Sequence, residues 1–387
     1  MIFSTFPYTL QQLQIDNMKL TLLTQNLQQK LSFLNRAIST KNQLPILLNI
    51  LIETQENSIK LSATDLEIGI EIFCPATIEE PGKTTVPARL FTELISSLTD
   101  DSLTIQSNEN KIEVATKRTK SVFQTVSSDE FPKLYEVKGE KLAELFGKDI
   151  KREFTSVVFS ASQDTTRPAL SGILVRKEAQ GFLLVATDGY RLSLRHYKVS
   201  QSSFQESTSF IIPARVFREL LAMKEDNSDI SMYVSKEQNQ ILFEQGDTLL
   251  IGRLIEAEFP NFEKIIPSDF SVSVSFDREE LLKAVKICSV FAKDSANIIK
   301  FSLAKDKIIV SSGASSVGEN TVEVDARLSG EENEIAFNAR YLLDVLGNVE
   351  EKEMVFDMIG PLNPGVFKVK GDESFLHLIM PIRVQGE

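Results

Sequence analysis

Side chains suited to covalent or metal chemistry are scarce in this chain of 387 residues. It has two histidines, His196 and His377, and neither stands beside a Ser, Cys or carboxylate pattern that would pair a nucleophile with a base. The two cysteines, Cys74 and Cys288, are far apart and form no Cys-x-x-Cys or Cys/His spacing, which disfavours both a zinc site and a disulfide scaffold. Gly82-Lys83-Thr84 looks like the end of a phosphate-binding loop, yet the position five residues earlier is Thr77 and no Gly-rich loop precedes it. Thr187-Asp188 offers a hydroxyl and a carboxylate, but an Asp before Gly189 reads first as a turn former. No enzyme, cofactor or metal is expected. The chemistry left to the chain is binding, which depends on the elements that position a surface.

Those elements are written three times. Val86-Pro87-Ala88-Arg89-Leu90-Phe91 recurs as Ile212-Pro213-Ala214-Arg215-Val216-Phe217 and more loosely as Phe337-Asn338-Ala339-Arg340-Tyr341-Leu342, with the arginines 126 and 125 residues apart. Thr64-Asp65 returns as Thr187-Asp188, and Glu130-Phe131-Pro132 as Glu258-Phe259-Pro260. In the third copy Ser312-Gly313 stands where Thr-Asp would be. A period of this length is a domain, since roughly 100 to 150 residues is the usual size of a cored unit. The boundaries read as an amino-terminal extension, poorly ordered, over 1–17, then domains over 18–137, 138–267 and 268–387.

Within a repeat, apolar residues at 27, 31, 34 and 38 predict a helix over Leu27 to Ala37. Strands are expected over 45–53, 58–66, 102–116 and 120–126, and a hairpin over 181–194 with a type I′ Asp188-Gly189 turn. The repeated motif opens a second helix, with Pro at its start and Leu90, Phe91, Leu94 and Leu98 on its apolar face. The order β-α-β-β-β, twice per repeat, predicts an α+β fold: three similar domains, each with two helices packed on antiparallel sheets. The longest apolar stretch, Leu44 to Ile52, is too short to span a membrane, and the first 17 residues do not read as a secretory signal, so a cytoplasmic location is expected.

The formal net charge of −12 opposes nonspecific nucleic-acid binding, which is dominated by Lys and Arg against phosphate. Its distribution softens that objection. From 18 to 52 stand Lys19, Lys30, Arg36 and Lys41 with no acidic residue, and from 278 to 300 five basic residues face three acidic ones.

In the threefold period, Ala186-Thr187-Asp188-Gly189-Tyr190-Arg191-Leu192, the stretch from Phe259-Pro260-Asn261 to Pro267, and the terminal Met380-Pro381-Ile382-Arg383-Val384, the chain resembles the bacterial β sliding clamp family, the β subunit of DNA polymerase III. The resemblance runs from Met18 to about Val384. It implies a DNA-clamp fold in which two chains join head to tail as a ring around duplex DNA, helices lining the hole. A modest positive lining in an acidic body suits a ring that must slide. Lys30, Arg36, Lys41, Arg167, Lys283 and Lys286 become DNA-facing candidates, while Arg89, Arg215 and Arg340, shared by all copies, lean toward a structural role. The implied partners are double-stranded DNA, the polymerase catalytic subunit, the clamp loader, other proteins carrying a clamp-binding peptide, and a second copy of the chain.

The resemblance also implies a peptide pocket between the second and third domains. It would be built from Leu170, Thr187, Gly189, Tyr190, Arg191, Leu192, Pro260, Lys264, Ile265, Ile379, Met380, Pro381, Ile382 and Arg383, with Arg191 orienting the polar end of the peptide. Tyr190, Lys264 and Ile382 stand where the family more often has His, Arg and Met. Ring closure would join a basic cluster, Lys117, Arg118 and Lys120, to apolar Val290 and Phe291 with Glu319 and Glu323 as complementary charges. A protein-only repeat scaffold, or a triplicated enzyme gone degenerate, are the rival readings.

Overall fold

The computed structural model describes residues 17–39, 44–108, 110–199, 208–223, 228–293, 296–314 and 318–383. The amino-terminal extension up to residue 16, Lys41 and the tail from Val384 onward lie outside the described residues. The chain divides into two compact units, residues 1–136 with 246–251, and residues 137–245 with 252–387.

The order β-α-β-β-β twice per repeat is observed in all three copies, with one additional short strand, Thr77–Glu80, in the first. In the first unit the helices Thr24–Leu34 and Ala88–Ser97 bury Leu27, Leu31 and Leu34, and Ala88, Phe91 and Ile95. The first helix ends four residues before Ile38, where a 3-10 turn, Asn35–Ala37, takes over. In the second, Leu90 is exposed and Ile95 takes the inward place, because Phe91 and Ile95 are one helical turn apart. Gln28 ties the pair together, its Nε2 donating at the end of the second helix to the carbonyls of Ile95 (2.8 Å), which also accepts from the Leu98 amide, and of Leu98 (3.1 Å). Strand Thr248–Arg253 lies beside Ile68–Pro75, and its residues 248 to 251 count with this unit.

All four expected strands shift, the one over 58–66 ending at Thr64. Pro45–Leu48 is a 3-10 turn before the strand Asn49–Thr54, since proline supplies no ladder N–H. The span from 102 breaks into a hairpin, Ser102–Asn108 and Lys111–Ala115. The next strand ends at Gln124.

In the second unit a continuous antiparallel sheet crosses from the second repeat into the third through Arg191–Lys198 and Asp372–Ile379. Arg191 opposes Ile379, Ser193 opposes His377 and Arg195 opposes Phe375. One face of this junction is apolar: Leu192 and Leu378 join Leu174, Val366 and Phe262 in a core. The other face, by the period of two, carries Arg191, Ser193 and Arg195. The third repeat is cored by Phe301, Phe337, Phe356 and Phe367, whose rings meet edge-on or tilted at centroid distances of 4.9 to 6.3 Å. The helix Arg278–Ala292 starts at Asp277, whose carboxylate accepts from the Glu279 and Glu280 amides. In the last copy Asn338 replaces the motif proline and caps its helix by accepting from the Arg340 amide.

Candidate functional site

The turn joining Gly181–Thr187 to Arg191–Lys198 is held by two side chains. The Thr187 hydroxyl donates to the Arg191 carbonyl (2.6 Å) and accepts from the Gly189 amide (3.1 Å), while Asp188 Oδ1 accepts from the amides of Tyr190 (2.9 Å) and Arg191 (3.1 Å). Only Gly189 has positive φ, +94°, so this is an Asx-type turn and not type I′. The first repeat builds the same turn from Thr64 and Asp65: Thr64 bonds the Ile68 carbonyl and the Leu66 amide, and Asp65 the amides of Glu67 and Ile68. Leu66 there has φ +75°.

The second-repeat turn stands against the end of the chain. The Met380 amide donates to the Tyr190 carbonyl at 2.8 Å, and two residues on the Ile382 amide donates to the Ala336 carbonyl. At this seam Tyr190 (60%) and Met380 (39%) are exposed; Ile265 (44%), on the short Glu263–Ile265 turn, is exposed as well. Beneath them Thr187, Arg191, Leu192 and Ile379 are buried, as is Leu170 nearby in sequence to Arg167. Pro260, Lys264 and Arg383 are exposed, and Pro381 and Ile382 half-buried. A separate groove of about 780 Å³, lined by Arg176, Phe210, Phe259 and Phe262, shares only Pro260 with the expected pocket.

Arg191 is not free to meet a ligand. Its Nε donates to Asp188 Oδ2 (3.1 Å), Nη1 to Asp344 Oδ2 (2.5 Å) and Nη2 to the Phe159 carbonyl (2.8 Å). Next to it Ser193 bridges Ser160 and His377 Nδ1, each at 2.7 Å, and His377 Nε2 has no partner among the described residues. Burial, and then the positive charge of Arg191, hold the His377 imidazole well below its ordinary pKa, so it is neutral. Further along, Arg195 bonds Glu153 and also Asp372 (3.0 Å). None of these contacts was expected from the sequence; only Asp344, at the motif position held by Glu93 and Glu219, carried a signal. The segment 359–364 was also missed. It exposes Leu362 (61%) and leads into Gly365, which pairs with Ile379, so it ends beside Met380.

Three domain profiles of the DNA polymerase III beta subunit match: the N-terminal domain over 18–135, the central over 144–261 and the C-terminal over 263–383. The beta sliding clamp of Staphylococcus aureus (strain Mu50 / ATCC 700699) is 30% identical over 360 residues, covering 90% of this chain and 94% of the relative. The chain belongs to the beta sliding clamp family. The Synechococcus elongatus beta sliding clamp is 29% identical over 379 residues, 95% of this chain and all of that one. The crystal structure of the DNA polymerase sliding clamp from Bacillus subtilis superposes with a TM-score of 0.91 at 26% identity, over 95% of this chain and 100% of that one. This is therefore a three-domain sliding clamp chain, a non-catalytic processivity factor of DNA replication.

The clamp's remaining candidates distribute as follows. Lys30 is ion-paired with Asp247, and Arg36 is exposed at the end of its helix. Arg167, named as DNA-facing, pairs with Asp164 (3.4 Å), and its Nη1 lies 3.6 Å from where a Cβ on Gly189 would sit, which places it on the rim of the Tyr190 turn. Lys283, Lys286 and Val290 share the exposed face of the helix Arg278–Ala292, opposite buried Leu281, Ala284, Val285 and Cys288; Phe291 is half-buried. Lys117 and Arg118 sit in an exposed turn, and Lys120 pairs with Glu113 (2.9 Å) on Lys120–Gln124, the last strand of its sheet, where Val122 is exposed. Residues 318–325 of the strand Gly318–Ser329 pair on one side only among the described residues; Glu319 is exposed and Glu323 pairs with Lys307 (2.7 Å). Arg89 and Arg340 are exposed, Arg89 pairing with Glu93 (3.0 Å), so neither is a core element.

Proposed function

We propose that two copies of the chain close head to tail into a ring around duplex DNA, and that partner proteins dock by a short extended peptide at the seam where Tyr190 meets Met380. The exposed tyrosine and methionine flanking a main-chain hydrogen bond carry the second part, because an amphipathic ring and a repackable thioether suit apolar anchors of varied shape. Deleting residues 380–387, or the single change Met380→Asp, abolishes binding of a labelled peptide of Gln followed by apolar and aromatic residues in fluorescence anisotropy, with dimerisation intact by sedimentation. Full binding by both variants would refute the site.

Ring closure draws support from two sheet edges. The edge strand Lys120–Gln124 with its basic turn and the segment 318–325 with Glu319 offer opposite charge and backbone that pairs on one side only among the described residues. A stable monomer at micromolar concentration would overturn this. Reversing charge at Arg36, Lys283 and Lys286 weakens retention on closed circular DNA, and a ring, unlike a protein-only scaffold, is lost when the circle is cut. The polymerase catalytic subunit, the clamp loader and other motif-bearing proteins are the partners of this reading, in the cytoplasm.

A further inference from the structure

We propose that Arg191 is a positioning residue of the peptide site: it fastens the second-repeat wall to the third-repeat wall and does not itself hold the peptide. This rests on the reading of the Tyr190–Met380 seam as the docking site. The arginine side chain is 7% exposed. Its planar fork is committed on three sides, to Asp188, Asp344 and the Phe159 carbonyl. Two aromatic rings also lie against it, the Tyr341 ring centroid 4.7 Å from the guanidinium carbon and that of Phe159 5.4 Å. A peptide carboxylate finds no open edge on it.

The first repeat shows what the arginine is for. There the same four hydrogen bonds form the turn with Ile68 at the corresponding position, so the turn needs no guanidinium. What Arg191 adds is the bond to Asp344, on the third-repeat helix Ala339–Asn348. That helix follows the strand Asn333–Asn338, whose Ala336 carbonyl receives the Ile382 amide. The contacts close a circuit: the Tyr190 turn, Arg191, the helix, the strand, the chain end, and back through the Met380 amide to the Tyr190 carbonyl. An arginine fork suits such a link because it bonds two carboxylates at fixed angles, which a lysine ammonium does not.

The test uses the full-length chain with Arg191→Met, Arg191→Lys and Asp344→Asn, each studied where circular dichroism shows it folded. Two labelled peptides are titrated, both Gln followed by apolar and aromatic residues, one also carrying an acidic residue. Arg191→Met and Arg191→Lys are expected to weaken both peptides by a common factor, about tenfold, the scale of one lost charge-assisted network. Asp344→Asn should reproduce part of that factor and add nothing in the Arg191→Met background. A loss confined to the acidic peptide would show direct contact and overturn the proposal. So would unchanged affinities accompanied only by a lower melting temperature. If the wild-type chain binds neither peptide, the docking site itself is wrong, a failure visible before any Arg191 variant is measured.

Discussion

His377 sets a pH dependence that can be worked out in advance. Its ring is fully enclosed, lies 5.3 Å from the Phe159 ring between centroids, and among the described residues bonds only Ser193, through Nδ1. Burial and the neighbouring Arg191 charge push its pKa well below 6.5, the value it regains on unfolding. In the window below 6.5 the unfolded chain therefore binds a proton that the folded chain refuses, and stability falls as pH falls. For one such group the loss between pH 6.5 and roughly 5.5 is about 1 kcal/mol, in a range where ordinary carboxylates stay ionised. Urea unfolding at the two pH values, at one protein concentration because assembly couples to stability, measures it; His377→Gln should flatten the difference. Proton NMR gives the direct check, since the only other histidine, His196, is 46% exposed and paired with Glu178. A His377 ring resonance that titrates at or above pH 6.5 would refute the reasoning.

Arg195→Met removes the shared partner of Glu153 and Asp372. Breaking a buried pair costs about 3 to 5 kcal/mol; the low end applies here because Arg152 still bonds Glu153 at 2.5 Å and the Asp372 side chain is 31% exposed. Chemical denaturation should show a loss near that low end, part of which Glu153→Gln restores; a neutral Arg195→Met would contradict it. Gly365→Ala places a Cβ 2.5 Å from ring atoms of both Phe337 and Phe356, so a thermal melt should register overpacking of about 1–3 kcal/mol. Cys74 and Cys288 are buried, which pushes each thiol up to about 11. Ellman's reagent at about pH 8 should leave both untouched in the native chain and react with both in denaturant.

The period of the repeat and the order of its elements were legible because duplication writes a pattern longer than any local ambiguity. The helices over 24–34 and 88–97 announced themselves by residues one turn apart, with errors where apolar residues outnumber the inward places: Leu90 has the right chemistry but points outward. The exposed part of the site, Tyr190 and Met380, followed from the resemblance. The contacts that hold its buried part did not, because Arg191, Ser193 and Arg195 fall on alternate positions of one strand and meet Asp344, His377 and Asp372 from more than 150 residues away. An alternation of polar residues ordinarily signals a solvated face; here helices and the third repeat cover it, and no local spacing reveals that.

The shared turn also bears on the proposed docking at the second-repeat seam, to which its counterpart in the first repeat is poorly suited. Thr64-Asp65 and Thr187-Asp188 fold the backbone identically, so specificity must lie in the three residues that follow. Leu66 occupies the left-handed position at a strain that Gly189 avoids, and puts a half-exposed side chain where the glycine has none. Glu67 presents a charge where Tyr190 presents a ring, and an apolar anchor gains nothing by desolvating a carboxylate. Ile68 buries quietly where Arg191 reaches across to another repeat. The copies thus keep in common what folds the chain, and the proposed docking surface lies where one copy departs from that common pattern at consecutive residues.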